Sequence, residues 1–315
     1  MARVERKKRE KKKKSGRILA LIVLVIVVAA GAYALLNYSS DNLGDAGSSE
    51  STTASSNKSA EGNGSKSGVQ YDEFVVTEDD KYVYNESEGR PMYYQKYDKP
   101  ANAGWINDKK GEHIYYCEGE GKLATGWKYL EGKVWYFYNG DDANKGYQAG
   151  KLARNYETPG KINIPETGYI DGDEGLALAY AMDVLNRKGW NLEAAYRYSG
   201  GLRFEKEDEL DENTKTHEAA LMGFKTGKGN CMVWSGTFCT MAKLLGKDAK
   251  LIWGTLTWNG IRPHAWVEIT EGDGEDPHVY DPRKNDGQDM AGFDVHYGDG
   301  GTYDYNLDSR VYLEW

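Results

Sequence analysis

The chain has 315 residues, which is long enough for more than one folded unit. Its net charge of −9 is unevenly spread, because residues 1–17 contain ten Lys or Arg and two Glu and leave 30 Lys or Arg against 47 Asp or Glu for the remainder. The remainder is strongly acidic, which argues against nucleic acid as a partner of the folded region.

The first predicted element is a membrane-spanning helix. Residues 18–36, "ILALIVLVIVVAAGAYALL", are uncharged and long enough to cross the hydrocarbon core. The basic run before them should stay in the cytoplasm. We therefore expect a cytoplasmic tail over 1–17, a single transmembrane helix over 18–37, and a cell-membrane protein with its bulk outside. The alternative is a cleaved signal peptide, because Ala-Tyr-Ala at 32–34 resembles a cleavage site.

Residues 38–70 are predicted to be a disordered linker. They are rich in Ser, Thr, Gly and Asn and almost free of large apolar side chains. A flexible chain of this composition has a root-mean-square span of roughly 30 Å. It would hold the folded part away from the membrane.

Residues 71–158 contain a repeat. "GRPMYY" begins at Gly89, "GEHIYY" at Gly111 and "GKVWYF" at Gly132, so a glycine precedes two aromatic residues at spacings of 22 and 21. A fixed period of this length is typical of a repeat array. Each unit is predicted to form a β-hairpin with an aromatic strand.

The stretch "GWINDKKGEHIYYCEGEGKLATGWKYLEGKVWYFY" (104–138) resembles the cell-wall-binding repeats of the choline-binding and glucan-binding family of Gram-positive surface proteins. The resemblance implies a cell-wall polymer as partner, whether choline, teichoic acid or glycan, because aromatic cages attract cations and aromatic faces support sugars. The alternative is that the aromatic side chains only pack hairpin on hairpin, as a spacer. The candidate ligand-binding residues are Trp105, Tyr115, Tyr116, Trp127, Trp135 and Tyr136.

From residue 159 to 315 the pattern predicts an α+β domain, with helices first and an antiparallel sheet after them. Helical spacing occurs in "DEGLALAYAMDVLNRKG" (173–189), with apolar positions that include Leu176, Tyr180 and Leu185. "NLEAAYRYSG" and "THEAALMGFKTG" predict two more helices. "AKLIWGTL", "RPHAWVEIT" and "DPHVYDP" predict strands, and an Asn-Gly turn signal separates the first two.

The segment "GKGNCMVWSGTFCTMAKLLG" places Cys231 at the start of a largely apolar helix, with Asn230 as its N-cap. The partial positive charge at a helix N-terminus favours a nucleophilic thiolate. Backbone N–H groups there can also stabilise a developing oxyanion. Cys231 is therefore predicted to be a nucleophile.

Two later strands offer a base and a group to orient it. If "EGDG" (271–274) is the loop between these strands, Thr270 pairs with Glu275 and His264 lies opposite Asp281. Directly opposed side chains lie about 5 Å apart at Cβ. This register predicts a Cys231, His264 and Asp281 triad, although a slip of one residue would break it.

The three blocks "GKGNCMVWSGTFCTMAKLLG", "RPHAWVEI" and "VYDP" resemble the transglutaminase-like superfamily over roughly residues 165–285. The resemblance implies a papain-like fold in which Cys231 is the nucleophile, His264 the general base and Asp281 the orienting carboxylate. It also implies acyl chemistry through a thioester, in peptidases, amidases or cross-linking enzymes.

The sequence thus predicts a surface-anchored, cysteine-dependent enzyme acting on amide bonds of cell-wall or surface proteins. Hydrolysis and cross-linking both remain open, with peptide or protein amides as substrate. No cofactor is expected, because the cysteines and histidines lack the spacing of a zinc site. The alternative is a catalytically inert wall-binding or adhesion protein that uses its aromatic repeats.

Overall fold

The computed structural model describes residues 80–108, 113–206, 210–257, 259–272, 275–282, 290–298 and 304–315. The predicted cytoplasmic tail (1–17), transmembrane helix (18–37) and linker (38–70) lie outside these ranges and remain predictions. Within the described ranges, no helix combines the length and apolar character needed to cross a membrane.

The first part of the described chain consists of β-hairpins. Neighbouring strands pair antiparallel here, and each predicted aromatic stretch supplies the second strand of a hairpin. The strands are β1 (Lys81–Asn85), β2 (Arg90–Gln95), β3 (Lys99–Pro100), β4 (Gly104–Asp108), β5 (His113–Gly119), β6 (Lys122–Leu123), β7 (Gly126–Leu130) and β8 (Lys133–Phe137). The described chain therefore forms an antiparallel hairpin at each of the three aromatic stretches.

The hairpin of β7 and β8 has a two-residue turn. Leu130 pairs with Lys133, and the turn residues Glu131 and Gly132 have φ angles of 54° and 75°. Positive φ at both turn positions is the conformation that matches the twist of the flanking strands. The glycine that opens the "GKVWYF" stretch is thus required by the turn rather than by a ligand.

Helices and short strands follow the hairpins. Asn191 caps the third helix by accepting a hydrogen bond from the backbone of Ala194, and Gly227, in the left-handed region, ends the fourth. The helices are α1 (Gly140–Ala143), α2 (Gly172–Lys188), α3 (Leu192–Gly200), α4 (Thr216–Thr226) and α5 (Cys231–Leu244). The remaining strands are β9 (Tyr156–Glu157), β10 (Asn163–Ile164), β11 (Tyr169–Ile170), β12 (Arg203–Phe204), β13 (Lys228–Gly229), β14 (Asp248–Thr257), β15 (Ile261–Thr270), β16 (His278–Tyr280) and β17 (Asp304–Tyr312).

Helix α5 lies at the centre of the fold, with every residue after Cys231 buried. It packs against α2, α3 and α4 on one side and against an antiparallel sheet of order β16-β15-β14-β17 on the other. Ala265 and Val267 of β15 face the helix, whereas Trp266 belongs to a separate cluster with Ile252 of β14. Because successive side chains of a strand point to opposite faces of the sheet, this alternation determines which β15 side chains contact α5.

The register between β15 and β16 differs from the sequence prediction. Val267 pairs with Tyr280, and seven residues rather than four separate the two strands. The pairing is therefore displaced by two residues from the predicted register. Asp281 comes directly after Tyr280 and does not lie opposite His264. A displacement of two leaves both side chains on the same face, because the side-chain period of a strand is two.

One hairpin shares its core with the helices. Val134 and Tyr136 of β8 are buried in the same hydrophobic cluster as Leu178 of α2 and Phe238 of α5. The short strand β11 also pairs with β8, through Tyr169 and Trp135. The chain on either side of the predicted domain boundary at 158/159 thus contributes to a continuous core.

Candidate active site

Cys231 lies at the N-terminus of α5, as the sequence predicts. The side chain of Asn230 accepts hydrogen bonds from the backbone N–H groups of Met232 at 3.0 Å and Val233 at 3.3 Å. Cys231 is half-buried, whereas the other thiols, Cys117 and Cys239, are buried. The described chain therefore presents one partly accessible thiol, at a helix N-terminus that favours negative charge.

His264 joins the thiol to a carboxylate. Its Nε2 lies 3.0 Å from both carboxylate oxygens of Asp281, and its side chain hydrogen-bonds to Cys231. Because Nε2 faces the carboxylate, Nδ1 is the nitrogen left to serve the thiol. The three predicted residues are thus brought together as a chain of hydrogen bonds from sulfur to imidazole to carboxylate.

The environment of His264 favours its protonated form. Burial lowers the pKa of the imidazole, but the Asp281 charge and hydrogen bond, with a smaller effect of Cys231, raise it to about 10. An imidazolium beside Cys231 stabilises a thiolate by charge attraction. The charged imidazole therefore lies where a thiolate nucleophile would need it.

Asp281 is fully buried and held from several directions. Its backbone N–H donates to the carbonyl of Gly292 at 2.7 Å, and its own carbonyl accepts from the Tyr196 hydroxyl at 2.8 Å. Its Oδ2 accepts from the hydroxyl of Tyr305 at 2.8 Å. Sequence reasoning missed Tyr305, which lies on β17 and carries no motif.

Aromatic side chains pack around the imidazole of His264. The ring of Trp266 stacks on His264 with centroids 6.4 Å apart and packs on Tyr305 at 4.9 Å. Trp266 Nε1 donates to the hydroxyl of Tyr297 at 2.7 Å, and Tyr297 in turn donates to Glu268. The buried Glu268 also accepts a hydrogen bond from Arg310 at 3.0 Å. A hydrogen-bonded polar network therefore holds Trp266 in place beside His264.

The six aromatic residues predicted to bind a wall ligand divide into two groups. Tyr115, Trp135 and Tyr136 are buried in the hydrophobic core, and the Tyr136 hydroxyl donates to Asp142 at 2.7 Å. These three are packing residues in this structure, because their rings are not accessible to a polymer. The partly exposed members are Trp105, Tyr116 and Trp127.

Comparison with known proteins bears on the second half of the chain. Residues 179–276 match the model of the family described as the transglutaminase-like superfamily. The match supports a transglutaminase-like domain at residues 179–276. The mixed α/β arrangement agrees with such a core, and the match supports a cysteine peptidase or acyltransferase in general.

The match includes Cys231 and His264 but ends before Asp281, whose role therefore rests on the geometry alone. The comparisons do not show the choline- or glucan-binding repeats that were expected before this domain. No curated protein matches the chain. Across the described ranges, no three His, Cys, Asp or Glu side chains are grouped so that they could hold a metal ion.

Proposed function

We propose that the protein is a surface-anchored, cysteine-dependent acyl-transfer enzyme that cleaves amide bonds of cell-wall or surface proteins through a thioester. The observation that carries the proposal is the continuous contact from Cys231 through His264 to the buried Asp281. Such a sequence of nucleophile, base and orienting carboxylate is the arrangement that nucleophilic catalysis requires.

In the first half of the reaction, the Cys231 thiolate attacks the carbonyl carbon of an amide. A carbon–sulfur bond forms, and negative charge develops on the carbonyl oxygen near the N-terminus of α5, where backbone N–H groups stabilise it. The carbon–nitrogen bond then breaks, and the imidazolium of His264 gives its Nδ1 proton to the departing amine. A thioester and a neutral imidazole remain.

In the second half, a nucleophile releases the acyl group. His264 removes a proton from water or from an amine, the new bond forms at the carbonyl carbon, and the carbon–sulfur bond breaks to restore the thiolate. Asp281 holds the ring orientation and compensates the imidazolium charge in both halves. Water gives hydrolysis, and an amine gives a cross-link.

We favour hydrolysis over cross-linking. Transfer to an amine requires a bound amine and the exclusion of competing water. His264 is partly accessible, with 18% of its side chain exposed, and Cys231 is also only half-buried. An open site of this kind gives water access to the thioester.

The surface location rests on the predicted membrane helix at 18–37 and on the linker that follows it. These segments would place the active site outside the cell, within a linker's length of the membrane. Peptide and protein amides of the cell envelope are the substrates within reach of such an enzyme.

The test is a search for turnover that depends on the thiol. The full chain is incubated with isolated cell walls and with a glutamine-rich protein, with and without a labelled primary amine, while new amino groups, released ammonia and amine incorporation are measured. We expect product from the wild type and none from Cys231→Ser, a near-isosteric control. Equal turnover by the two proteins would contradict the proposal.

A further inference from the structure

A cleft of about 850 Å³ lies at the opposite end of α5 from Cys231. Its walls come from β7, from α2 and the residues after it, and from the C-terminal end of α5 at residues 243–246. Because a helix rises 1.5 Å per residue, the thirteen steps from Cys231 to Leu244 span about 20 Å. The cleft is therefore separate from the reacting thiol, and its volume is within the usual range for ligand sites.

Aromatic side chains line the cleft from two directions. Trp127 and Tyr129 are two residues apart on β7 and so share a face, and Trp190 approaches from the connection between α2 and α3. Tyr129 is 49% exposed and Trp190 45%, so part of each ring is open to a ligand.

Two of these rings are held in place before any ligand binds. Trp190 Nε1 donates to the side chain of Asn186 at 2.9 Å. Trp127 packs edge-on against the buried Tyr136, with centroids 4.8 Å apart. Fixed rings lose little conformational entropy on binding, which favours affinity.

The charges of the lining balance. It contains two lysines and two aspartates, and the lysines already have partners: Lys128 contacts Glu118 at 2.6 Å, and Lys243 donates to the carbonyl of Gly160 at 3.3 Å. Asp183 likewise pairs with Arg187. A balanced lining favours a neutral ligand with many hydroxyl groups over a phosphate polymer or a lone cation.

We propose that this cleft binds a neutral glycan chain, with its sugar rings packed on Trp127, Tyr129 and Trp190. Side-chain amides and hydroxyls of the lining, such as those of Asn186 and Thr125, supply hydrogen bonds to the sugar. Trp190 lies outside the hairpins, so the site combines a hairpin with the transglutaminase-like part of the chain.

The inference deepens the proposed function and rests on it only for the source of the glycan. A polymer held in the cleft would be anchored about 20 Å from the thiol, so that a peptide attached to the polymer could reach Cys231. Binding itself requires no catalysis, so it can be measured with the thiol removed.

The test uses the full chain carrying Cys231→Ser, in a detergent that contains neither sugar nor choline groups. A tetramer of N-acetylglucosamine is titrated calorimetrically, and choline chloride and glycerol phosphate are titrated separately. We expect saturable binding of the tetramer alone. Trp190→Ala and Tyr129→Ala should each weaken it about tenfold through loss of ring contact.

The matched control is Tyr84→Ala, because Tyr84 is a similarly exposed aromatic residue on β1. It should leave binding unchanged. Absence of tetramer binding, binding of choline or glycerol phosphate in its place, or equal weakening by the control would overturn the inference. Since every protein in this test lacks the thiol, failure here is distinct from failure of the proposed enzyme activity.

Discussion

At the residue scale, Tyr305 is the positioning group that the structure adds to the triad. Its hydroxyl donates to Asp281 Oδ2 at 2.8 Å, and that carboxylate holds His264. We expect Tyr305→Phe to lower the free energy of unfolding by about 1–3 kcal/mol, because it removes a hydrogen bond to a buried carboxylate. Alkylation of Cys231 at neutral pH should also slow, since the imidazole is less firmly oriented.

Tyr312→Phe is the control for that prediction. Tyr312 lies on the same strand, but its hydroxyl donates to Glu268 at 3.1 Å rather than to Asp281. This variant should lose stability without a change in alkylation rate. Equal slowing in both variants would show that Tyr305 acts through general stability instead of through Asp281.

The raised pKa of His264 gives a stability prediction with a definite sign. The pKa is about 10 in the folded chain and about 6.5 in an unfolded one. The resulting stabilisation is complete below about pH 6.5 and is lost as the pH rises through about 10. The difference in unfolding free energy between wild type and His264→Gln should therefore shrink between these values.

Urea unfolding at a series of pH values measures this difference. When both proteins also carry Asp281→Asn, this difference should vary less with pH. The carboxylate is the main group that raises the imidazole pKa against the effect of burial. A difference that is constant or grows with pH would contradict the assignment of a charged His264 in the folded protein.

Residue-level chemistry was largely predictable where its signal is local. Cys231 follows a capping Asn and opens an apolar helix, and these features occupy a few adjacent positions in the sequence. Tyr305 gave no such signal, because it meets Asp281 only through tertiary structure, 24 residues along the chain. The exposure of each aromatic residue in the hairpins could not be predicted from the sequence either, since it depends on how the hairpins pack.

At the element scale, helices α2 to α5 and strands β14 to β16 were predicted from the sequence, but the register between β15 and β16 and the buried face of α2 were not. The loop between β15 and β16 is longer than "EGDG", and the ladder moves by two residues, which preserves the faces of His264 and Asp281. In α2, Tyr180 was assigned to the apolar face yet is exposed, whereas Leu178 and Met182 are buried. Small differences in burial cannot be read from an alanine-rich helix.

The first turn of α5 depends on close packing at Gly229. A Cβ added there would lie 2.3 Å from the Cβ of Val233, a distance that requires the turn to move. We expect Gly229→Ala to lower the free energy of unfolding by about 1–3 kcal/mol through overpacking. It should also slow alkylation of Cys231, which begins the same turn.

The control for this prediction is Gly140→Ala, since a Cβ at Gly140 meets nothing within 4 Å. Thermal unfolding and alkylation of the two variants give the comparison. Unchanged alkylation in Gly229→Ala would show that the position of the thiol does not depend on this contact.

At the scale of the whole molecule, the shared core predicts that the transglutaminase-like part needs the last hairpin. Tyr136 and Tyr138 are buried in its cluster, and β11 pairs with β8. A fragment of residues 159–315 should therefore lack the sharp cooperative unfolding expected of residues 80–315. Circular dichroism during thermal unfolding of both fragments checks this, and equal transitions would establish 159–315 as an independent domain.

The most direct test of the Cys231–His264 pair is the iodoacetamide alkylation rate of Cys231 in the full chain as a function of pH, followed by peptide mass. Cys117 and Cys239 are fully buried, and burial raises the pKa of the Cys239 thiol to about 12, so labelling of native protein reports Cys231. We expect rapid labelling at neutral pH that His264→Ala slows about tenfold or more, as expected for loss of an activating base. Slow labelling that is the same in wild type and His264→Ala would contradict the thiolate–imidazolium pair and with it the proposed enzyme.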